Sequence, residues 1–438
     1  AFATGGSKKM LYDVRQRPQA LLWHDKVYIG YKGHGTEPDK TGQRNAVALT
    51  HAALIRYDPE TRTFSRPITF GEQTNDHHDC PVLWVDNDDH LHFLYRCHNR
   101  PGIHLVNRKT GTMGESEKDW EKLPDINEKV SYPTMFALPG GRHLVYFREA
   151  GHSSSWSDRI TADTGRSWSG PENSVTNLDI YNHPEWSSYQ AKILSPDKKT
   201  LYVVFTDYDD VKSNDPERLY NPRYDMPVRN EWKYNLSLLK VDVDTHEVRN
   251  DAGEVMKTPL DIETVREKCH IWDTDWRGAG VPPALCLDGN GYPSALHVLS
   301  EDDLETHNYY YVRKVGDEWK KTVITASNHQ WNSTYLKRDA DGKLHAYLIV
   351  GEGYMDKPGI NYTHGGGRIE HWVSKDKGNT WKLHRDITPD AGKYPGWSFN
   401  NVQPVVRPDG TVVDGMLVFY GWLDERVPDG VAFMLDET

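Results

Sequence analysis

The chain has 438 residues, with 52 Lys and Arg against 64 Asp and Glu, a net charge of −12. That balance argues against nucleic acid as a partner, and no apolar run approaches the roughly 18 residues of a membrane-spanning helix. Only 37% is hydrophobic, yet 15 Trp and 24 Tyr accompany 35 Gly and 25 Pro, a composition that favours a repetitive all-β fold rich in turns.

The chain begins Ala1-Phe2-Ala3-Thr4, without a basic or apolar leader. This fits a mature end after signal removal, so a secreted or periplasmic protein is expected. The first recurring unit covers 20–31: an apolar strand, a turn of Asp/Gly/Asn/Pro type, and a second apolar strand. The same unit recurs at 81–95, 134–147, 189–205, 283–299, 334–350 and 402–420, each time followed by one or two further strands. Seven such units predict a seven-bladed β-propeller of four-stranded antiparallel blades, one domain over 1–438. The last strand, 430–435, is expected to be completed by the N-terminal segment.

The second unit is flanked by the richest chemistry. Asn75-Asp76-His77-His78-Asp79-Cys80 leads into it, and Tyr95-Arg96-Cys97-His98-Asn99-Arg100 leaves it. A hairpin returns the chain to the side it left, so His77, His78, His98 and Arg100 should share one rim. Cys80 and Cys97 should fall nearly opposite each other, as a disulfide, two metal ligands or two buried free thiols. The third unit brings Ser131-Tyr132, Tyr146 and Arg148 to the same rim, with Arg159 on the strand that follows. The fourth offers Trp186, Tyr189 and Tyr208, then an irregular insertion at 211–231, and long loops are often functional. His329, Trp331 and Asn332 come later. Cys269, His270 and Cys286 are a candidate structural site for a zinc or calcium ion.

Two segments share the pattern Ser/Thr-x-Asp-x-Gly-x-Ser/Thr-Trp: Thr161-Ala-Asp163-Thr-Gly165-Arg-Ser167-Trp168 and Ser374-Lys-Asp376-Lys-Gly378-Asn-Thr380-Trp381. Asp caps backbone amides, Gly takes the positive φ, and Trp packs across the edge. These segments resemble the Asp box of sialidase-like propellers. With 21 histidines in the chain, a lone His carries little weight; His78 and His98 stand out because they converge. Rim tryptophans serve as packing wedges or as stacking platforms for sugars.

The run from Asn75 to Tyr95, then Tyr146-Phe-Arg148-Glu149 leading to Arg159 and an Asp box, resembles the BNR-type propellers of polysaccharide lyases, the seven-bladed ulvan lyases above all. The resemblance implies β-elimination on a uronate-containing, sulfated polysaccharide. His78 and His98 would be the family's two histidines, Arg159 its carboxylate-neutralising arginine, and Tyr146 or Tyr189 its tyrosine. Asn75, His77, Arg148, Trp186 and Tyr208 would bind substrate. Elimination needs a cation on the uronate carboxylate, a neutral base at C5 and an acid for the leaving oxygen; no cofactor is required. The expected partner is an anionic polysaccharide substrate, and the protein is expected to be a monomer. A sialidase- or rhamnosidase-like hydrolase would need a carboxylate pair or a Tyr–Glu nucleophile instead, and a noncatalytic glycan-binding propeller only the aromatics.

Overall fold

Each of the seven predicted units is an antiparallel hairpin in the computed structural model, which describes the chain except for 8, 39–47, 152–153, 177–185, 210–219, 228–231, 304, 354–364 and 425–426. The pairs are Ala20–Trp23 with Lys26–Gly33, Val82–Val85 with Leu91–Tyr95, Ser131–Ala137 with His143–Arg148, and Trp186–Leu194 with Thr200–Asp209. Ala284–Leu287 with Pro293–Ser300, Tyr335–Arg338 with Leu344–Val350, and Ser398–Val406 with Val412–Trp422 complete the set. A third strand extends every hairpin, and a fourth follows in most. Among the described residues unit three has three strands, against the four-stranded expectation there. After Trp156–Thr161 its chain enters the Asp box turn and returns only through the isolated bridges Ile160 to Ser169 and Trp156 to Thr176.

The seventh unit is finished by the N-terminal strand Ala3–Gly6, which pairs antiparallel with Gly430–Asp436, Ala3 opposite Ala432 and Gly6 opposite Gly430. A parallel bridge from Leu21 to Val406 joins this unit to the first, so the two form one nine-stranded sheet. Apolar faces of consecutive units pack on each other. Leu54 and Phe70 of the first meet Leu83 and Phe93 of the second, and Val82 and Leu94 of the second meet Val145 and Phe147 of the third. The seventh meets the first through Val418 and Tyr420 against Ile29 and Tyr31. Among the described residues helix is confined to Ile262–Lys268, capped by Asp261 through the Thr264 amide, and to short 3-10 turns.

Both Asp boxes fold alike. Asp163 accepts from the Ser167 amide and hydroxyl at 2.9 and 2.6 Å, and Asp376 accepts from the Thr380 amide and hydroxyl at 2.9 and 2.7 Å. Gly165 and Gly378 sit at φ +82° and +84°, and a Cβ on either would run into His104 or Tyr311 of the preceding unit.

One feature has no counterpart in the repeats. The segment 10–19, ahead of the first hairpin, runs buried between first strands of several units. Asn401 donates to the Leu11 carbonyl at 2.7 Å and Gln403 to that of Tyr12; Thr134 and Lys192 donate to that of Arg15 at 3.0 and 3.2 Å. In return Gln16 donates to the Cys80 carbonyl and Gln19 to that of Pro81 at 3.1 Å. Side-chain donors thus satisfy carbonyls between its ends, while strand amides meet those of Met10, Arg17, Pro18 and Gln19, as burial requires.

All four cysteines are free and buried. Val82 pairs with Leu94, so extending the register sets Cys80 opposite Arg96, and Cys97 falls one residue out of step. One step reverses the face. Cys80 accordingly packs against the axial segment, its thiol 3.1 Å from the Lys9 carbonyl, and Cys97 between units two and three.

Candidate active site

The rim histidines are gathered by a single carboxylate. After the strand Ile68–Thr74 the chain makes a 3-10 turn, His77–Asp79, capped by Asp76. Oδ1 of Asp76 accepts from the His78 amide at 2.9 Å and lies 2.6 Å from His78 Nδ1. Its Oδ2 lies 2.7 Å from His98 Nδ1 and 3.5 Å from the Arg100 guanidinium. The hairpin delivers His98 so that the two imidazoles stack at 3.8 Å, and His77 lies 4.0 Å from His78. Burial alone would raise the Asp76 pKa, but hydrogen bonds from both histidines overcome it and hold the carboxyl far below its usual range. Burial, then the His98 charge, pushes His78 well below 6.5. An ionised Asp76 makes Nδ1 of each ring the donor, which leaves Nε2 as the basic nitrogen.

Beside this pair lies a layer of tyrosines interleaved with cations. Tyr132 takes φ +58° immediately before Pro133, a backbone that bulky residues rarely adopt and a form of stored strain found at functional sites. The strained turn directs its ring to 5.6 Å from His78, 5.7 Å from Tyr189 and 5.8 Å from Tyr12. The Arg15 guanidinium lies 4.7 Å from the Tyr132 ring and 4.1 Å from that of Tyr189, and is pinned by two hydrogen bonds to Asp13. Arg148 lies 4.6 Å from the Tyr132 ring. Its Nε donates to the Ala150 carbonyl, while Nη1 and Nη2 are buried with no hydrogen-bond partner. Among the described residues no carboxylate pairs with it. Lys233 lies over the adjacent, mutually tilted rings of Tyr189 and Tyr208, and 4.3 Å from that of Trp331. Burial pushes the Tyr132 hydroxyl well above its ordinary pKa, so it keeps its proton.

Of the expected site residues, the structure gathers His77, His78, His98, Tyr189, Arg148 and Tyr208. Asn75 is exposed beside them, and the Trp186 side chain lies outside the described residues. Arg159 stands apart. Arg148 pairs with Trp156 at the rim end, but Arg159 pairs with Val145, three residues further down, or about 10 Å. Its guanidinium bonds Asn127, Ser157 and the Asp158 carbonyl, and approaches Glu149 at 3.8 Å. Tyr146 shares a strand face with Arg148 one level deeper, and its hydroxyl donates to Gln190 at 2.7 Å. Cys269 and Cys286 occupy different layers of the core, so the predicted metal set is not assembled. Among the described residues the ligand atoms of Asp76, His77 and His78 do come within 4.8 Å of one another. The insertion 211–231 falls largely outside the described residues; within it Tyr220–Asn221 pairs with Met226–Pro227. Tyr12 and Arg15 were not anticipated, because nothing in the local pattern marks the axial segment.

An all-β protein of repeated hairpins, with a histidine pair and a cation–tyrosine layer at one end of its strands, is the class defined here. The chain belongs to the BNR repeat-containing family, which matches residues 28–327. An ulvan lyase of Alteromonas sp. (strain LOR) is 20% identical over 305 residues, covering 64% of this chain and 57% of that protein. A second, named Ulvan Lyase-PL25, from Pseudoalteromonas sp. (strain PLSV), is 22% identical over 347 residues, covering 73% and 65%. The chain thus spans less than two thirds of the length of either relative. A polysaccharide lyase PL25 ulvan lyase bound to -[GlcA(1-4)Rha3S]- superposes with a TM-score of 0.75 at 16% identity, over 100% of this chain and 95% of that one. The polysaccharide lyase Uly1 does so with 0.64 at 13% identity, over 99% and 92%. At these identities the likeness establishes the fold.

Proposed function

We propose that this protein is a secreted polysaccharide lyase of the ulvan lyase type, and that its seven units are the blades of a closed propeller with the site at one end of the axis. The observation that carries the reading is a stacked histidine pair clamped by one carboxylate beside an arginine whose terminal nitrogens lack partners. The uronate carboxylate pairs with Arg148, which takes up the charge that develops as the C5 proton leaves. His78 Nε2 accepts that proton, and Asp76 stabilises the resulting imidazolium through Nδ1. The C4–O bond breaks as the C4–C5 double bond forms, and the Tyr132 hydroxyl gives its proton to the departing oxygen. Tyr189, Arg15 and Lys233 frame the sugar and hold the local potential positive. Arg148 and Tyr132 are shielded from water in the free chain. No step is routed through a metal ion.

A hydrolase is less well supported. Asp76 is committed to two imidazoles and Asp13 to Arg15, which leaves no close pair of available carboxylates among the described residues of the cluster. The test is the product from ulvan. A lyase generates an unsaturated uronate that absorbs in the ultraviolet; new reducing ends without that absorbance would overturn the proposal in favour of hydrolysis.

A further inference from the structure

The axial segment divides the centre of the molecule. Above it lies the histidine–tyrosine layer; below it is a cavity of about 490 Å³. Its walls are the downstream halves of first strands, 134–137, 192–196, 285–287 and 335–338, with Arg17 and Pro18 forming part of the roof. The hairpin turns face this end, so the cavity opens opposite the histidines.

Its charges do not balance. Arg17 has no carboxylate within ion-pair distance among the described residues, and its Nε and Nη2 are buried without a hydrogen-bond partner. The Tyr335 hydroxyl, on a residue only 4% exposed, also lacks a partner. Lys192, fully covered, gives its Nζ only to the Arg15 and Gln190 carbonyls at 3.2 and 3.4 Å. Two carboxylates line the wall, but each is engaged. Asp414, 81% exposed at the mouth, pairs with Lys337, and Asp409 accepts from Thr411. Unpaired buried donors and cations are costly unless something meets them. A guanidinium fork with a hydroxyl nearby suits an oxoanion, and the volume falls in the range of small-ligand sites.

We propose that this lower cavity is a second binding site, for one small oxoanion-bearing ligand of monosaccharide size: a sugar carboxylate or sulfate ester, or the free inorganic ion. The oxoanion lies against Arg17 and Tyr335. The site is independent of the lyase reading, since no group in it belongs to the cluster above.

Calorimetric titration of the full chain with sodium sulfate and with sodium glucuronate, each against sodium chloride at equal ionic strength, tests this. Saturable binding of at least one is expected. Arg17→Gln should weaken it about ten-fold or more, the scale of one charged hydrogen bond, and Tyr335→Phe about two- to ten-fold. Arg148→Gln should leave the Arg17-dependent binding unchanged and remove only glucuronate held at the upper site, which separates the two. Tighter binding of glucuronate assigns a sugar carboxylate; binding of sulfate alone assigns a tetrahedral oxoanion. Tyr335→Phe removes a hydroxyl that bonds nothing, so it decides the matter if Arg17→Gln does not fold. Failure of both ions to saturate, or affinity unmoved by every folded lower-cavity variant, would overturn the proposal.

Discussion

Two aspartates around the second hairpin each hold a pair of histidines, and they do so in opposite ways. Asp86, in the hairpin turn, bonds His92 Nε2 at 3.0 Å, and His92 Nδ1 meets His104 Nε2 at 2.9 Å. This is a chain in series, fully covered, with His92 stacked on Trp84 at 4.7 Å. Asp76 instead holds His78 and His98 in parallel, through Nδ1 of each, on rings that are 15% and 23% exposed. A series arrangement uses both nitrogens of the middle ring and leaves it nothing to do but hold two strands together. A parallel arrangement fixes the tautomer of both rings and keeps Nε2 as a base. Sheet unit six repeats the series form with Asp339, His345 and His371, which marks it as a device of the scaffold. The same three residue types therefore make a staple or a candidate catalytic pair, according to which nitrogen meets the carboxylate.

The sharpest way to break the comparison is to exchange one histidine from each set. His78→Asn should lower elimination by about 10²- to 10⁴-fold, the range of a lost general base, with little change in unfolding temperature. His92→Asn should do the reverse, costing about 1–3 kcal/mol of stability by leaving buried polar groups unpaired while turnover per folded molecule persists. Equal effects in both assays would show that the two sets are not distinct. Arg148→Ala comes next. Loss of the charge on the developing carbanion should remove about 2.7–4 kcal/mol of transition-state stabilisation, whereas Arg159→Ala, already engaged by Asn127 and Ser157, should lose less than about ten-fold in kcat/KM. Similar losses in the two would return the carboxylate to Arg159.

Acid titration separates the sets more finely. Burial holds His78 below 6.5, so the acidic limb of kcat/KM should lie below the ordinary histidine range; a limb at or above 6.5 would remove His78 as the base. Burial likewise holds His92 and His104 below 6.5, and His297 and His371 near 3. The unfolded chain then binds more protons than the folded one in acid. Stability should be flat above about pH 6.5 with respect to these groups and fall as pH drops below it, measured by chemical denaturation. His246 runs the other way: its bond to Asp158 raises its pKa, so its contribution is lost as pH rises. The smallest effect concerns the thiols. With four free, buried cysteines, reducing agent should leave the unfolding midpoint unchanged; a drop would reveal a disulfide.

The hairpins were legible because apolar strands and turn residues alternate on a scale that sequence records directly. The meeting of His78 and His98 was legible for the same reason, since a hairpin must return to its origin. The choice of arginine and tyrosine was not. Arg148 and Arg159 lie on adjacent strands, and only the pairing register shows that one ends at the rim while the other has moved down the strand. Tyr132 sits at a register shift between Ser131 and Thr134, where positive φ breaks the alternation by which a side chain's direction is read. Tyr12 and Arg15 were hidden more deeply, since their carbonyls are met by donors 391, 119 and 177 residues away rather than by any local pattern.

That distance sets a timetable for the growing chain. The carbonyls of Leu11 and Tyr12 find their donors on Asn401 and Gln403, at separations of 390 and 391 residues. During synthesis at about 5–20 residues per second, residues 11 and 12 must wait for donors made about 390 positions later, their carbonyls unmet meanwhile. Pairings of such long range fold slowly. A chain interrupted before residue 400 could build most of its hairpins, yet the Leu11 and Tyr12 carbonyls at the floor of its own site would lack their donors.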